Sequence, residues 1–172
     1  MRILLVADGR SPIAINWIDY FIEQGYEVHL VSTFPCEPEL DLASLHIVPV
    51  AFSASAAPPP KKLKPSRRAS FSAIGGPILR ALSTTRMRTR IRQVFGPRTL
   101  PKAVAQLQEI YTEIQPDLVH AMRIPFEGML AAGAKPDAPL LVSVWGNDFT
   151  LHARSTPIMA RLTRRTLKRA SA

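Results

Sequence analysis

The 172-residue chain is long enough for one domain with a buried core, and its 47 % hydrophobic content predicts that most of it folds. No apolar run approaches the ~20 residues that a helical bilayer span needs, and the single cysteine, Cys36, excludes an intramolecular disulfide and a cysteine-cluster metal site. The formal net charge of +9 is unevenly placed: no Asp or Glu lies between Ala43 and Gln108, and Lys61 to Lys102 holds 12 of the 22 Lys and Arg residues.

In chain order, Arg2 to Ala7 is an apolar run that predicts a buried strand at the very start, with an Asp and a Gly too early for a secretory signal. Asp8 to Pro12 reads as the following loop. Ile13 to Gln24 has helical spacing, with Ile15, Ile18 and Ile22 on one face, and Gly25 suits its end. Tyr26 to Ser32 is the next strand. Strand, helix and strand in this order predict a βαβ unit, hence a parallel sheet. Leu45 to Val50 is a third strand, and Pro49 places it at an edge or ends it early.

Ser53 to Gly76 has the composition of a mobile, basic, proline-rich loop, with Pro58 to Pro60 followed by Lys61, Lys62, Lys64, Arg67 and Arg68. Pro77 to Val94 predicts a helix whose apolar positions are Ile78, Leu79, Leu82, Met87, Ile91 and Val94, with arginines crowding the rest. Such a helix suits an anionic membrane surface, and equally an ordinary surface position. Pro101 to Gln115 is a clearer helix. Leu118 to Met122 is a strand, Gly128 to Gly133 a short helix, Leu140 to Val144 a further strand, and Ser155 to Ala170 a last helix with Ser155 or Thr156 as its cap. The order is that of one doubly wound α/β domain.

In such a sheet, ligands bind beyond the carboxyl ends of the strands. Trp145, Asn147 and Asp148 follow a strand directly, and bring an aromatic face, an amide and a carboxylate; the simpler reading is a turn that covers the core edge. Gly9 either lets backbone amides approach an anion or makes a tight turn. The glycine spacing is not GxGxxG, which disfavours a nicotinamide or flavin cofactor.

Four segments carry a resemblance: MRILLVADGRSP, EQGYEVHLVST, PDLVHAMRIPFEGMLAA and LLVSVWGNDF, with the closing RLTRRTLKRAS. In this order they resemble the N-terminal domain of a family 4 glycosyltransferase, a retaining enzyme of GT-B fold built from two Rossmann-like domains. The resemblance covers nearly the whole chain except Ser53 to Thr99. It implies that residues 1–172 are the acceptor-side half, that a nucleotide sugar is the donor substrate, and that no metal or other cofactor is needed. The donor half usually carries two acidic residues eight apart; no such glutamate pair occurs here, so the resemblance implies that a donor domain is supplied in cis or in trans.

Position by position, the resemblance places Gly9 near the donor phosphates or the sugar and Trp145, Asn147 and Asp148 on the acceptor side; Ser11 is a further substrate-binding candidate, and Arg123, just past its strand, suits a phosphate or a carboxylate. The resemblance gives Asp148 and His120 catalytic roles, with Asp148 a candidate base for an acceptor hydroxyl. Family members often carry a second histidine where this chain has Met122. A thioether is no acid or base, which weakens that contact. His120 alone also fits a satisfied core histidine.

The expected function is therefore transfer of a sugar to a glycan or lipid-linked acceptor by a cytoplasmic protein, peripheral at the inner membrane face through residues 61–102. The alternatives are a non-catalytic glycan-binding or regulatory module and a non-specific nucleic-acid binder. The basic residues are not interleaved with aromatics and no nucleic-acid motif is present, so no specific nucleic acid is expected.

Overall fold

The structure, a computed structural model, describes residues 1–55 and 85–172. β1 (Arg2–Ala7), β2 (Glu27–Ser32), β3 (Ser44–Ile47), β4 (Leu118–Ala121) and β5 (Leu140–Val142) form a five-stranded sheet in the order β3-β2-β1-β4-β5. Every pairing is parallel. β1 lies at the centre, and Ile3 to Ala7 have no exposed surface. A parallel sheet covered on both faces needs continuous apolar strands, and RILLVA supplies one.

Successive residues of β1 feed opposite faces. Ile3, Leu5 and Ala7 join Ala14 and Ile18 of α1 (Pro12–Glu23) in one apolar cluster. Leu4 and Val6 join the larger cluster on the other face, with residues of α3 (Leu100–Ile114), α4 (Met129–Ala134) and α5 (Pro157–Arg169). α2 (Thr85–Phe95) lies beyond the strand ends, and the turn Gly96–Thr99 joins it to α3.

Several predicted boundaries move. β3 stops at Ile47 because Pro49 has no N–H to donate; Val48 N still donates to Ser32 O at 2.9 Å. β5 stops at Val142, and Val144 leaves the sheet half-exposed. Asp148–Ala153 forms a wide helical turn where the sequence shows only a connection. α5 starts at Pro157, with the Thr156 hydroxyl accepting from Met159 N at 3.1 Å. Past α5, Ser171 and Ala172 lie along the outer edge of β5, and Ser171 N donates to Leu140 O at 2.8 Å. Most of the predicted loop and the first part of the predicted basic helix lie outside the described residues. In the part described, Met87, Ile91, Val94 and Phe95 are close to half exposed, whereas Gln93 is buried. The apolar row of α2 faces outward. Among the described residues no helix is long and apolar enough to cross a membrane.

Candidate functional site

A cleft of about 240 Å³ opens at the carboxyl ends of the strands. The loop after β1 brings Asp8, Arg10 and Ser11; the loop after β2 brings Thr33 and Phe34. Beyond β4 come Met122, Arg123 and Phe126 with Glu127, beyond β5 Trp145 and His152, and α2 adds Arg92.

The first wall is set by Gly9. A Cβ there would stand 2.5 Å from Cys36 Sγ and 3.1 Å from Ser32 Oγ, so only glycine lets the loop pass. Gly9 N donates to Ser32 Oγ at 3.1 Å, and that hydroxyl donates on to Phe34 O at 2.6 Å. Phe34 is thereby held under two cations. The Arg10 guanidinium lies 3.7 Å from its ring centre and that of Arg92 5.2 Å away. Arg10 also grips Asp8 with two bonds of 2.9 Å. Ser11 occupies the N-cap position of α1, but its hydroxyl makes no capping bond and lines the cleft.

The second wall is an ion pair between loops. Arg123 Nη2 donates to Asp148 Oδ1 at 2.9 Å and to Asn147 Oδ1 at 3.1 Å. Asp148 Oδ2 accepts from Ile124 N at 3.2 Å and Trp145 N at 3.1 Å. The Arg123 guanidinium lies 5.0 Å from the Trp145 ring. Asp148 is 1 % exposed and both of its oxygens are engaged, so its carboxylate ties the β4 and β5 loops together.

The floor is Glu127. It follows a tight turn in which Phe126 takes φ +66°, a strained conformation for a phenylalanine, and Gly128 N returns to Arg123 O at 2.8 Å. Burial pushes the Glu127 carboxyl up to about 8, against the pull of Arg123. It is therefore largely protonated at pH 7. Burial lowers the Arg92 guanidinium, whose centre is also 5.2 Å from the Phe126 ring. His152 is likewise lowered, by burial and then by Arg123, and it meets Gln93 Nε2 at 3.3 Å. Among the described residues, no group of His, Cys, Asp and Glu is placed to hold a metal ion.

A family model described as glycosyl transferase 4-like matches residues 72–172. The chain belongs to the glycosyl transferase 4-like family. Among curated proteins nothing matches it. The matched stretch contains the Arg123–Gly128 turn, the Trp145–Asp148 loop and α5; the α/β sheet, all parallel, is that of a Rossmann-like half of a GT-B fold.

In this glycosyl transferase 4-like domain, Ser11, Arg123 and Trp145 line one cleft, and Asn147 and Asp148 join it through Arg123. Gly9 shapes the wall with its amide already bonded to Ser32. His120 stands apart. It is 2 % exposed beneath α1, edge-on to Trp17 and Phe21, with Nε2 2.9 Å from Ser143 Oγ. Burial lowers its pKa, so the ring is neutral. Met122, two residues on along the same face, does line the cleft.

Asp8, Arg10, Arg92, Glu127 and His152 were not among the predicted site residues. Glu127 carried a readable signal, a lone acid between Ile124 and Ala134 in an otherwise apolar stretch. Arg92 carried none, being one of many arginines on its helix.

Proposed function

We propose that this domain forms the acceptor side of a glycosyltransferase that moves a sugar from a nucleotide sugar to a glycan or lipid-linked acceptor. The observation that carries the reading is the cleft itself, where strand-end loops bring the Trp145 ring and the Arg123 guanidinium beside Ser11. An aromatic face suits the apolar face of a sugar ring, while the guanidinium and hydroxyl suit its oxygens. Asp148 acts through Arg123 by fixing its direction, and Asn147 shares that task. Donor binding and transfer require a second Rossmann-like domain, in the same polypeptide or another.

The protein works at the cytoplasmic face of a membrane. Support comes from α2 and the turn after it, where Met87, Ile91, Val94 and Phe95 are exposed beside exposed Arg88 and Arg90 on the helix and Arg98 in the turn.

The test is saturation-transfer NMR with candidate acceptor sugars, followed by transfer assays with UDP- and GDP-sugars in the presence of a donor domain. Sugar protons should receive saturation from the protein, and Trp145→Ala should remove it. No acceptor binding, or binding indifferent to Trp145→Ala and Arg123→Ala, would sink the reading. A second reading, a glycan-binding module without transfer, is favoured by Met122 in the cleft, where a thioether moves no proton. Binding with no transfer in the presence of both domains and both donors would select it.

A further inference from the structure

Three buried polar atoms on the cleft-lining side chains have no hydrogen-bond partner among the described residues: Arg92 Nε, Arg123 Nε and Glu127 Oε2. Such atoms are costly to bury alone, so their convergence on one cleft needs a reason. Each is a donor in the state it holds at neutral pH. A guanidinium Nε always carries hydrogen, and the Glu127 carboxyl is held protonated by its burial. Glu127 is 5 % exposed, and among the described residues Arg92 makes no ion pair.

The charges agree with the donors. Arg10 is balanced by Asp8 and Arg123 by Asp148, which leaves the Arg92 charge over. The phenyl rings of Phe34 and Phe126 each lie 5.2 Å from the Arg92 guanidinium, so the fork is supported by rings that cannot accept its hydrogen bonds as an oxygen would. A rigid fork with a buried O–H beside it matches a tetrahedral anion, whose several oxygens take donors from different directions.

We propose that the floor of the cleft is an oxyanion subsite that takes the phosphate ester of the acceptor, held by the guanidiniums of Arg92 and Arg123 and by the carboxyl O–H of Glu127. The inference rests on the reading of this cleft as the acceptor side and adds the class of acceptor: a phosphorylated sugar or polyol, or a lipid that carries the same group.

Raising the pH weakens the subsite. The groups that face Glu127 are Arg123, Arg92, Asp8 and Asp148. Above about pH 8 the Glu127 carboxylate adds a negative charge among them and loses its donor. That charge cancels the one Arg92 leaves over, so the cleft no longer attracts the anion it held.

The test is calorimetric titration of the 172-residue protein with glycerol 3-phosphate, dihexanoyl phosphatidic acid, acetate and UDP. Either phosphate ester should bind in a 1:1 ratio and at least about tenfold more tightly than acetate, and the tighter of the two identifies a soluble or a lipid source. Arg92→Gln should cut that affinity about tenfold or more, the loss of one charge-assisted contact. Arg161→Gln, on α5 away from the cleft, should leave it unchanged. Glu127→Gln keeps an N–H donor, so it should bind at pH 7 and lose the fall in affinity between pH 7 and 9. Thermal melts confirm that each variant is folded.

Ester binding no tighter than acetate overturns the subsite, as does binding indifferent to Arg92→Gln. UDP displacing the ester with higher affinity gives the site to the donor and also overturns it. Sugar transfer to an unphosphorylated acceptor with no ester binding would remove the subsite and leave the glycosyltransferase reading. Ester binding with no transfer by the two-domain enzyme would overturn the assignment to an acceptor.

Discussion

Asp148 and Asn147 are neighbours that bond to the same guanidinium, yet their substitutions should differ widely. Asp148→Asn removes the charge that balances Arg123 and weakens the acceptor for two backbone amides, all within a side chain that is 0 % exposed. Because Arg123 keeps some contact with water, the loss should be about 2–3 kcal/mol, below the cost of a fully buried broken pair. Asn147→Ala loses one exposed bond and should cost about 0.5 kcal/mol. Urea midpoints at pH 7 measure both, and equal losses would mean that Asp148 does not hold the two loops together. Glu127 makes an opposite prediction. Its folded carboxyl stands at about 8 against 4.5 for the ordinary group, so between those values folding takes up a proton. Stability contributed by this residue is therefore highest below pH 4.5 and falls as the pH rises to about 8. Glu127→Gln carries no proton and should be more stable than the parent at pH 8, by an amount on the order of a few kcal/mol, with the difference vanishing towards pH 4. Melting temperatures of both proteins at pH 4, 6 and 8 decide it. A constant difference across the range would show that Glu127 is ionised in the fold.

At the scale of elements, the sequence is most readable where one element carries its own signal. RILLVA is apolar enough to be a central parallel strand, Pro157 after Thr156 starts a helix, and Pro49 ends a strand early, all through local chemistry. Thr156→Ala should accordingly cost about 1 kcal/mol in urea unfolding, the usual loss of an N-cap bond, and no effect would mean that the hydroxyl is idle. Gly9→Ala should cost about 1–3 kcal/mol by overpacking against Cys36, and Cys36→Ala in the same chain should return part of it. That pair separates packing from any role of the Gly9 amide, which Ser32 already occupies. Facing is what the periodicity could not give. Met87, Ile91 and Val94 of α2 show helical spacing, but spacing states only that they share a side, and the side they share looks outward. The site follows the same division. Trp145, Asn147, Asp148 and Arg123 were legible because each lies just past a strand end. His120 lies within its strand, and the strand pattern fixes its face but not what packs over it, which is Trp17 and Phe21 of α1. Arg92 lines the same cleft as Glu127 because α2 lies beyond the strand ends, a juxtaposition between distant parts of the chain that no local spacing encodes.

At the scale of the whole molecule, charge and exposed apolar surface coincide. The chain carries a net +9, and α2 holds an apolar row of Met87, Ile91, Val94 and Phe95 flanked by Arg88, Arg90 and Arg98. An exposed row of this kind on a folded domain marks a surface that meets something else. Polar flanks that are all cationic favour an anionic bilayer over a neutral protein groove, since each basic residue near such a surface contributes about 1 kcal/mol. The two contributions are separable by experiment. Co-sedimentation with vesicles rich in phosphatidylglycerol should retain the protein at low salt and release it progressively as salt screens the arginines. Replacing Arg90 and Arg98 with Gln should lower partitioning by roughly tenfold to thirtyfold, from about 2 kcal/mol of lost attraction. Ile91→Asp keeps both arginines but puts a charge where acyl chains would lie, and it should weaken binding even at low salt. Phosphatidylcholine vesicles should retain little of the parent protein. Equal retention on the two lipids would assign the row to a partner protein, while retention lost with the arginines but indifferent to Ile91→Asp would reduce the surface to a patch of charge.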